Sequence, residues 1–570
     1  MGNTERSQQI RWDIQPSLGQ DVIAHLLESR GITDRERFFS PDYERDSHDP
    51  MLLPDIALAL ARIQKAIQEK ESICVYGDYD ADGIPGTAIL VKTLQVNGAL
   101  VSSYIPDRER EGYGLNESAV KLLHERQVRL IITVDLGITG KAEVAFAKTL
   151  GIDVIITDHH HVDPERVPTD AIAIVHPAMP SSTYPFSGLA GGGVSWKLSQ
   201  AIGQVTGKPN AAQLKWWLEL PAISTVCDMV PLTDENRMIV HYGLKVLMQT
   251  RNVGLRALYR AGGIASDEIT ERTIGYQIGP RINAPGRIES ASLALELLLA
   301  DKEQLAQEYA AKIETQNRER QEQLDAVMKH AFQLVEEQKQ HEKSAIVLMQ
   351  EGWPTGVVGL AASRLIERYH RPTILLASHG GVAKGSGRSI HGFNLLAGVA
   401  ECQDILLTYG GHEKAAGLQL KTENFPQFQK RFVGYAKANL TEESLVPRKT
   451  ADMLLDPATI SEELVTDLLR FAPFGVGNPK PRFVIAPLTV SDCRPVGATK
   501  QHLKLRFTTG LDAIAFNCGS LASICAVGQQ IGILASLEFN SWNGHQTVQA
   551  LVDDIKPVRQ LIKEGVLSSE

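Results

Sequence analysis

The sequence predicts an α/β protein that ends in a small all-β module. Three observations predict it. Apolar strand-like runs alternate with helical stretches from residue 71 to about 177, as in a doubly wound parallel sheet. A second α/β unit starts with AIVLMQ at 345–350 and the turn and helix of WPTGVVGLAASRLIERY at 353–369. From about residue 450 the runs become short and turn-separated: FVIAPLTV, LKLRFTT, LDAIAF, IGILASLEF and TVQALVDDI predict the five strands of an OB-like β-barrel.

Taken in order, residues 17–50 read as a helical lead-in, with LGQDVIAHLLESRG amphipathic and stopped by glycine. Pro54–Lys70 is a second amphipathic helix with proline at its start. The α/β region follows, then mainly helices over 186–290, opened by the GLAGGG turn at 188–193. Glu296–Lys343 is polar and helix-forming, with Leu305, Tyr309, Ile313, Leu324, Val327 and Leu334 at helical spacings but no sustained heptads, which argues against a coiled-coil arm. A chain of 570 residues is too long for one core. The boundaries read from it are a lead-in over 1–70, an α/β domain over 71–290, a long helix over 291–343, a second α/β domain over 344–445 and the barrel over 446–570.

Hydrophobic residues make up 43% of the chain, ample for packed interiors, and no apolar run approaches the ~20 residues that span a bilayer. The start, MGNTERSQQIRWD, lacks a signal-peptide core, and Arg6 stands where a myristoylation motif needs Ser or Thr. Six scattered cysteines (Cys74, Cys227, Cys402, Cys493, Cys518, Cys525) without a CxxC pair suit reduced thiols in a cytoplasmic protein. The net charge of −9 disfavours general attraction to nucleic acid, so any such binding rests on local Arg and Lys clusters.

The chemistry concentrates in ESICVYGDYDADGIPGT at 71–87. A buried strand, Ile73–Tyr76, runs into Asp78, Asp80 and Asp82 and then into a helix start. Carboxylates this close repel and raise one another's pKa, and a hard divalent cation relieves that. An Asp/Gly turn with helix caps is the plainer alternative for this stretch alone. Two more strand-like runs end the same way: VRLIITVD in Asp135, and DVIITDHHH in Asp158, His159, His160 and His161. In open parallel sheets the ligand crevice lies outside those carboxyl ends. Imidazole among carboxylates favours Mn²⁺, Zn²⁺ or Fe²⁺ over Mg²⁺ or Ca²⁺. Asp228, alone in the apolar PAISTVCDMVPL, needs a partner or an ion.

GDYDADG, Asp135 at the end of VRLIITVD, TDHH at 157–160 and TVCDMVPL at 225–232 resemble motifs I to IV of the DHH phosphoesterase superfamily. IPDREREGYGLN at 105–116, GPRINAPGRI at 279–288, KGSGRSIHGFNL at 384–395 and GGHEKAAG at 410–417 extend the likeness to its RecJ branch of bacterial single-strand-specific exonucleases, from about residue 17 onward. The resemblance implies two α/β lobes, DHH and DHHA1-like, joined by the long helix, plus the C-terminal OB-like barrel. It implies two divalent ions, Mn²⁺ or Mg²⁺, with Asp78, Asp80 and Asp135 around one, and Asp82, Asp135, His159 and Asp228 around the other. His160 then contacts the scissile phosphate or assists proton transfer. The implied activity is 5′-to-3′ hydrolysis of single-stranded DNA in repair and recombination, by a monomer working with a single-strand-binding protein and a helicase.

Substrate contacts are expected from Arg108 and Tyr113 in the 105–116 loop, the latter as a base-stacking surface, and from Arg281, Asn283 and Arg287 among glycines and prolines. In the second α/β unit Ser363, Arg364, Lys384, Ser386, Arg388, Ser389, Gly411 and His412 resemble the DHHA1 substrate site, with KGSGRS reading as a phosphate-cradling loop. It lacks the GxxxxGK[ST] order, so no nucleotide cofactor is indicated. In the barrel, His502, Lys504, Arg506, Phe539 and Trp542 suit a basic, aromatic groove for single strands.

Pro85 and Leu136 depart from the family pattern. Proline is benign at a helix start, and Leu136 is expected to alter a contact behind the ligands. Two other readings remain. One is a DHH phosphodiesterase for pyrophosphate, cyclic dinucleotides or short oligonucleotides, tested by deleting residues 450–570. The other is a non-catalytic single-strand-binding scaffold, tested by an Mn²⁺-dependent nuclease assay.

Overall fold

The computed structural model describes residues 10–16, 21–108, 110–542 and 545–568, without the side chain of Trp542. The chain forms two compact units, one of residues 40–322 with 473–479, the other of residues up to 39, 323–472 and 480 onward.

In the first unit, five parallel strands lie in the order β2-β1-β3-β4-β5: β1 (Ser72–Gly77), β2 (Leu100–Tyr104), β3 (Val128–Val134), β4 (Asp153–Thr157) and β5 (Ala173–Val175). Strand β1 is covered on both faces, which is why its sequence is a continuous apolar run. Ile73 and Val75 enter one core, Cys74 and Tyr76 the other. From β1 the chain moves to one side, to β2, and then crosses to β3 on the other side. Strand order therefore reverses between β1 and β3, and a crevice opens there at their carboxyl ends. Asp78 follows β1 and Asp135 follows β3.

Helix α1 (Gly83–Val96) follows the Asp78–Asp82 turn and is mostly apolar because nearly all of it is buried. It packs on α2 (Gly191–Thr206), and Gly86 makes that approach possible: a Cβ there would sit 3.0 Å from Gly192 Cα. A buried bond from Thr93 Oγ1 to Ser199 Oγ (2.7 Å) pins the pair. Helices α3 (Glu219–Cys227) and α4 (Asp234–Met248) complete this wall.

In the second unit, a sheet runs β9-β10-β8-β7-β6: β6 (Ile346–Glu351), β7 (Thr373–His379), β8 (Val382–Arg388), β9 (Leu406–Gly411) and β10 (Ala415–Lys421). Only β6 and β7 are parallel. Five further strands close into a barrel through pairing of the first with the fourth: β11 (Phe483–Val496), β12 (His502–Phe507), β13 (Asp512–Ala515), β14 (Gln530–Trp542) and β15 (His545–Pro557).

Three expectations are corrected. Residues 1–70 are not one domain. Arg11–Ile14 is a strand paired in parallel with Arg448–Ala451, and Trp12 Nε1 donates to Asp554 Oδ2 at 2.8 Å, so this stretch belongs with the barrel. The helix Ile56–Gln68 instead buries Ile56, Ala59, Leu60 and Ile63 in the first unit. The lead-in helix is Val22–Ser29, and positions 17–20 of its expected start lie outside the described residues. The long helix is α5 (Glu303–Glu337), with Ser292–Leu299 a separate helix before it. Its Ala306, Ala310 and Ile313 pack in the core of the first unit, and Val327, Ala331 and Val335 in that of the second. Third, KGSGRS is a strand, β8, and not a loop. Lys384, Ser386 and Arg388 alternate onto its half-exposed face. Gly385 and Gly387 face the other way, where Cβ atoms would sit 2.7 Å from Leu376 Cγ and 2.9 Å from Ile374 Cγ1. The glycines serve packing. No helix of the described residues is long and apolar enough to cross a membrane.

Candidate metal centre

The turn after β1 folds onto the start of α1. Asp80 Oδ1 accepts from Asp82 N (2.8 Å) and Gly83 N (3.0 Å), so it caps the helix. Gly83 must be glycine, because a Cβ would lie 2.6 Å from Asp78 O. Asp82 is gripped from the opposite wall, its two oxygens accepting from Gly191 N and Gly192 N at 2.7 Å each. These N–H groups open α2, where the helix dipole also favours an anion. Asp135 sits at φ 62°, a left-handed conformation that Asp tolerates, with its N–H on Thr157 O at 3.0 Å. Asp228 follows α3, its N–H on Ser224 O at 2.9 Å.

These elements bring one imidazole among three carboxylates. His159 Nε2 lies 3.1 Å from Asp135 Oδ1, 3.5 Å from Asp82 Oδ2 and 3.6 Å from Asp228 Oδ2. Three triads place one ligand atom of each residue within 4.8 Å of the others: Asp78, Asp80 and Asp135; Asp82, His159 and Asp228; Asp135, His159 and His160. Asp135 belongs to two of them.

Burial and then mutual repulsion push Asp78 and Asp135 well above the usual carboxylate range. Asp228 is pushed up to about 8 by burial and by Asp82 and Asp80. Burial holds His159 below its ordinary value, which leaves a neutral ring with a lone pair for ligation. Asp78 Oδ1, Asp135 Oδ1 and His159 Nε2 are buried and have no hydrogen-bond partner among the described residues. A protein leaves such atoms orphaned only where something else satisfies them. Clustered carboxylate oxygens with one imidazole fit a pair of Mn²⁺ or Mg²⁺ ions.

Asp158, the first residue of the DHHH tract, was legible as part of the tract but not in its role. Fully buried, it accepts from Ile138 N (2.9 Å), His159 N (2.7 Å) and His160 N (3.1 Å), and its Oδ1 lies 2.8 Å from His160 Nδ1. Burial would raise Asp158, but the bond and charge of His160 outweigh it and hold the carboxylate below the usual range. Burial would likewise lower His160, but Asp158 takes it up to about 9. Tyr113 Oη lies 3.2 Å from His160 Nδ1 and from Asp135 O, so its hydroxyl braces the imidazole, while its ring stays half exposed. Asp158→Asn is expected to bring His160 back towards 6.5, read by NMR titration of the metal-free protein, and to cut turnover by roughly 10–100-fold.

Several expected substrate contacts are engaged in the protein itself. Arg281 pairs with Glu314 (Nε–Oε2 2.7 Å) and also donates to Gln277 O and Gly262 O, because it ties its short helix to α5. Asn283 Oδ1 accepts from Ala81 N at 2.9 Å and so braces the Asp78–Asp82 turn. Arg364 pairs with Glu367 on an exposed helix surface, and Ser389 Oγ donates to Phe393 O at 2.7 Å. In the barrel Arg506 pairs with Asp512 across two strands (2.7 Å). Leu136 is fully buried in the apolar core with Tyr76 and Ile156.

Other expected contacts keep a surface. Arg108 stacks over Tyr79, the ring between Asp78 and Asp80, at 5.2 Å. In the second unit Arg388 Nη1 donates to Ser386 Oγ (2.9 Å), beside Gly359 of α6 (Thr355–Tyr369), the helix that carries Ser363. His412 lies in the exposed β9–β10 turn, its Nδ1 accepting from Lys414 N. On the barrel His502 packs edge-on to Phe516 at 5.1 Å, and Phe516 is 54% exposed, an aromatic that the strand pattern did not single out. Phe539 is half-buried, and the side chain of Trp542 lies outside the described residues.

Among known families, the DHH family N-terminal domain matches residues 72–223, the DHHA1 domain 342–438 and the RecJ OB domain 451–554. The chain is 41% identical to the single-stranded-DNA-specific exonuclease RecJ of Bacillus subtilis, over 96% of this chain and 70% of that protein. It is 34% identical to the protein of that name from Haemophilus influenzae, over 95% of this chain and 98% of the other. The crystal structure of RecJ in complex with Mn²⁺ from Thermus thermophilus superposes with a TM-score of 0.83 at 30% identity, covering 98% of this chain and 80% of that one. Its Mg²⁺ counterpart gives 0.76 at 29% identity, covering 96% and 79%. The chain belongs to the RecJ family of DHH phosphoesterases.

Proposed function

We propose that the chain is a single-stranded-DNA-specific exonuclease that hydrolyses phosphodiester bonds from the 5′ end with two divalent ions. One observation carries the reading: three acidic and imidazole triads, two sharing Asp135 and two sharing His159, converge at the switch point of the sheet, with buried ligand atoms left unpartnered. Asp78, Asp80 and Asp135 would hold one ion, and Asp82, Asp135, His159 and Asp228 the other. When bound, the ions supply an activated water and stabilise the leaving oxygen of an in-line displacement.

The chain's own residues do the rest. Asp158 bonds the His160 imidazole, favours its cationic form and fixes its orientation, which suits contact with a phosphate oxygen. Arg108 and Arg287 supply charge near the turn. Tyr113 offers its half-exposed ring to a base and its hydroxyl to His160. Ser363, Lys384, Ser386, Arg388 and His412 form the phosphate-binding surface of the second unit. His502, Lys504 and Phe516 carry the single strand across the barrel. A cytoplasmic monomer acting with a single-strand-binding protein and a helicase completes the reading.

Digestion of end-labelled single- and double-stranded DNA with Mn²⁺, Mg²⁺ or chelator tests it. Mononucleotides should appear from the 5′ label first, from single strands only, and not in chelator. Release from the 3′ label first overturns the direction. No release with either metal overturns the activity.

A further inference from the structure

Pro473–Pro479, PFGVGNP, lies between the helix Glu462–Leu469 and β11 in sequence, yet it belongs to the first unit. It closes on itself through a Gly475–Asn478 bridge and through Asn478 Nδ2 donating to Pro473 O at 2.9 Å, with Asn478 2% exposed. Its contacts fall on the loop that leaves Asp228. Leu232 N donates to Val476 O at 2.7 Å. Gly475 lies so close to the buried Leu232 that a Cβ would sit 2.7 Å from its Cδ1. Gly477, at φ +76°, lies against Pro231 and Thr233, where a Cβ would sit 3.2 Å and 3.3 Å from the nearest atoms. Phe474 N donates to Glu271 Oε1, and Arg237 Nη1 reaches Pro473 O at 3.5 Å.

The loop thus held carries strain. Met229, next to Asp228, sits at φ 61°, and a non-glycine residue stays there only if its surroundings over-determine it. The same loop is tied to the other wall: Asn236 Nδ2 donates to Pro231 O (3.0 Å) and to Gly188 O (2.6 Å), at the head of the turn whose N–H groups grip Asp82.

We propose that Pro473–Pro479 is a strap that positions the half of the metal centre built on Asp228 and Asp82. The proposal rests on Asp228 being a metal ligand. Loosening the strap then lets Asp228 drift while Asp78, Asp80 and Asp135 stay in place. One of two bound Mn²⁺ ions is weakened selectively.

The test counts Mn²⁺ bound to the full-length protein by electron paramagnetic resonance, beside kcat and KM on single-stranded DNA. Gly477→Ala strains the strap, and Glu271→Ala removes its half-buried acceptor while Glu271→Gln keeps it. The first two are expected to weaken one Mn²⁺ by roughly 10-fold, lower kcat comparably and leave KM within about twofold. Glu271→Gln should match wild type. Thermal unfolding of each variant identifies any that fails to fold, and the Glu271 pair decides if Gly477→Ala does. Unchanged binding of both ions in Glu271→Ala, with Asp228→Ala losing one, overturns the strap but keeps the ligand assignment. Unchanged binding in Asp228→Ala overturns both.

Discussion

Asp135→Asn should abolish nucleotide release, by at least about 10³-fold, while raising the melting temperature of the metal-free protein. The two effects have one cause. Asp135 belongs to two ligand triads, and its Oδ1 has no hydrogen-bond partner among the described residues, so an amide of the same shape forfeits the anion without forfeiting a bond. Burial and the charges of Asp82, Asp80 and Asp78 hold its folded pKa well above that of the unfolded chain. A carboxyl raised in this way binds more protons folded than unfolded, so stability falls as pH rises between the two values. Asp228, raised to about 8, acts in the same direction up to that pH. Metal-free protein should therefore lose stability from about pH 4 to about pH 8, and Asp135→Asn should lose less. Saturating Mn²⁺ at pH 8 should restore what is lost, by about 2.7 kcal/mol at a concentration a hundred times Kd. Calorimetry with and without chelator across that range checks it. A flat profile, or an Asn variant that melts lower than wild type without metal, is the contrary result.

Much of the centre was legible because parallel strands covered on both faces write themselves as apolar runs, and whatever ionisable residue ends such a run stands out. Asp78, Asp135 and His159 stand out that way. Asp228 was conspicuous as a carboxylate in an apolar segment. Cations were harder to read, because their partners depend on distant chain. Arg281 looks like a phosphate clamp until Glu314, thirty-three residues on, is seen beside it. Arg506 loses the same appearance to Asp512 across a strand pair. KGSGRS misled because glycines suggest a turn, whereas here they alternate under Leu376 and Ile374 so that a strand can lie close. The GLAGGG turn was visible as a turn only. That its amides hold Asp82, more than a hundred residues earlier, is a tertiary fact with no local signal.

That turn gives the second large expected effect. Gly191→Ala should cost roughly 10–100-fold in Mn²⁺ affinity and at least as much in turnover. A Cβ on Gly191 would sit 2.6 Å from Asp135 Cβ and 2.8 Å from its Cγ, both close to the backbone and unable to swing aside. Either Asp135 retreats or the start of α2 does, and the second route drags the Gly191 and Gly192 amides off Asp82. Both routes damage the ligand set, so the variant cannot relax harmlessly. Gly193→Ala, two positions on, is the control. The nearest atoms to its Cβ would be those of Leu189, at 3.4 Å and beyond, and alanine favours the helix. Isothermal titration with Mn²⁺ should separate the pair, with Gly193→Ala near wild type. Equal affinities for the two variants would mean that the glycine turn tolerates a side chain and that Asp82 and Asp135 are not held by it.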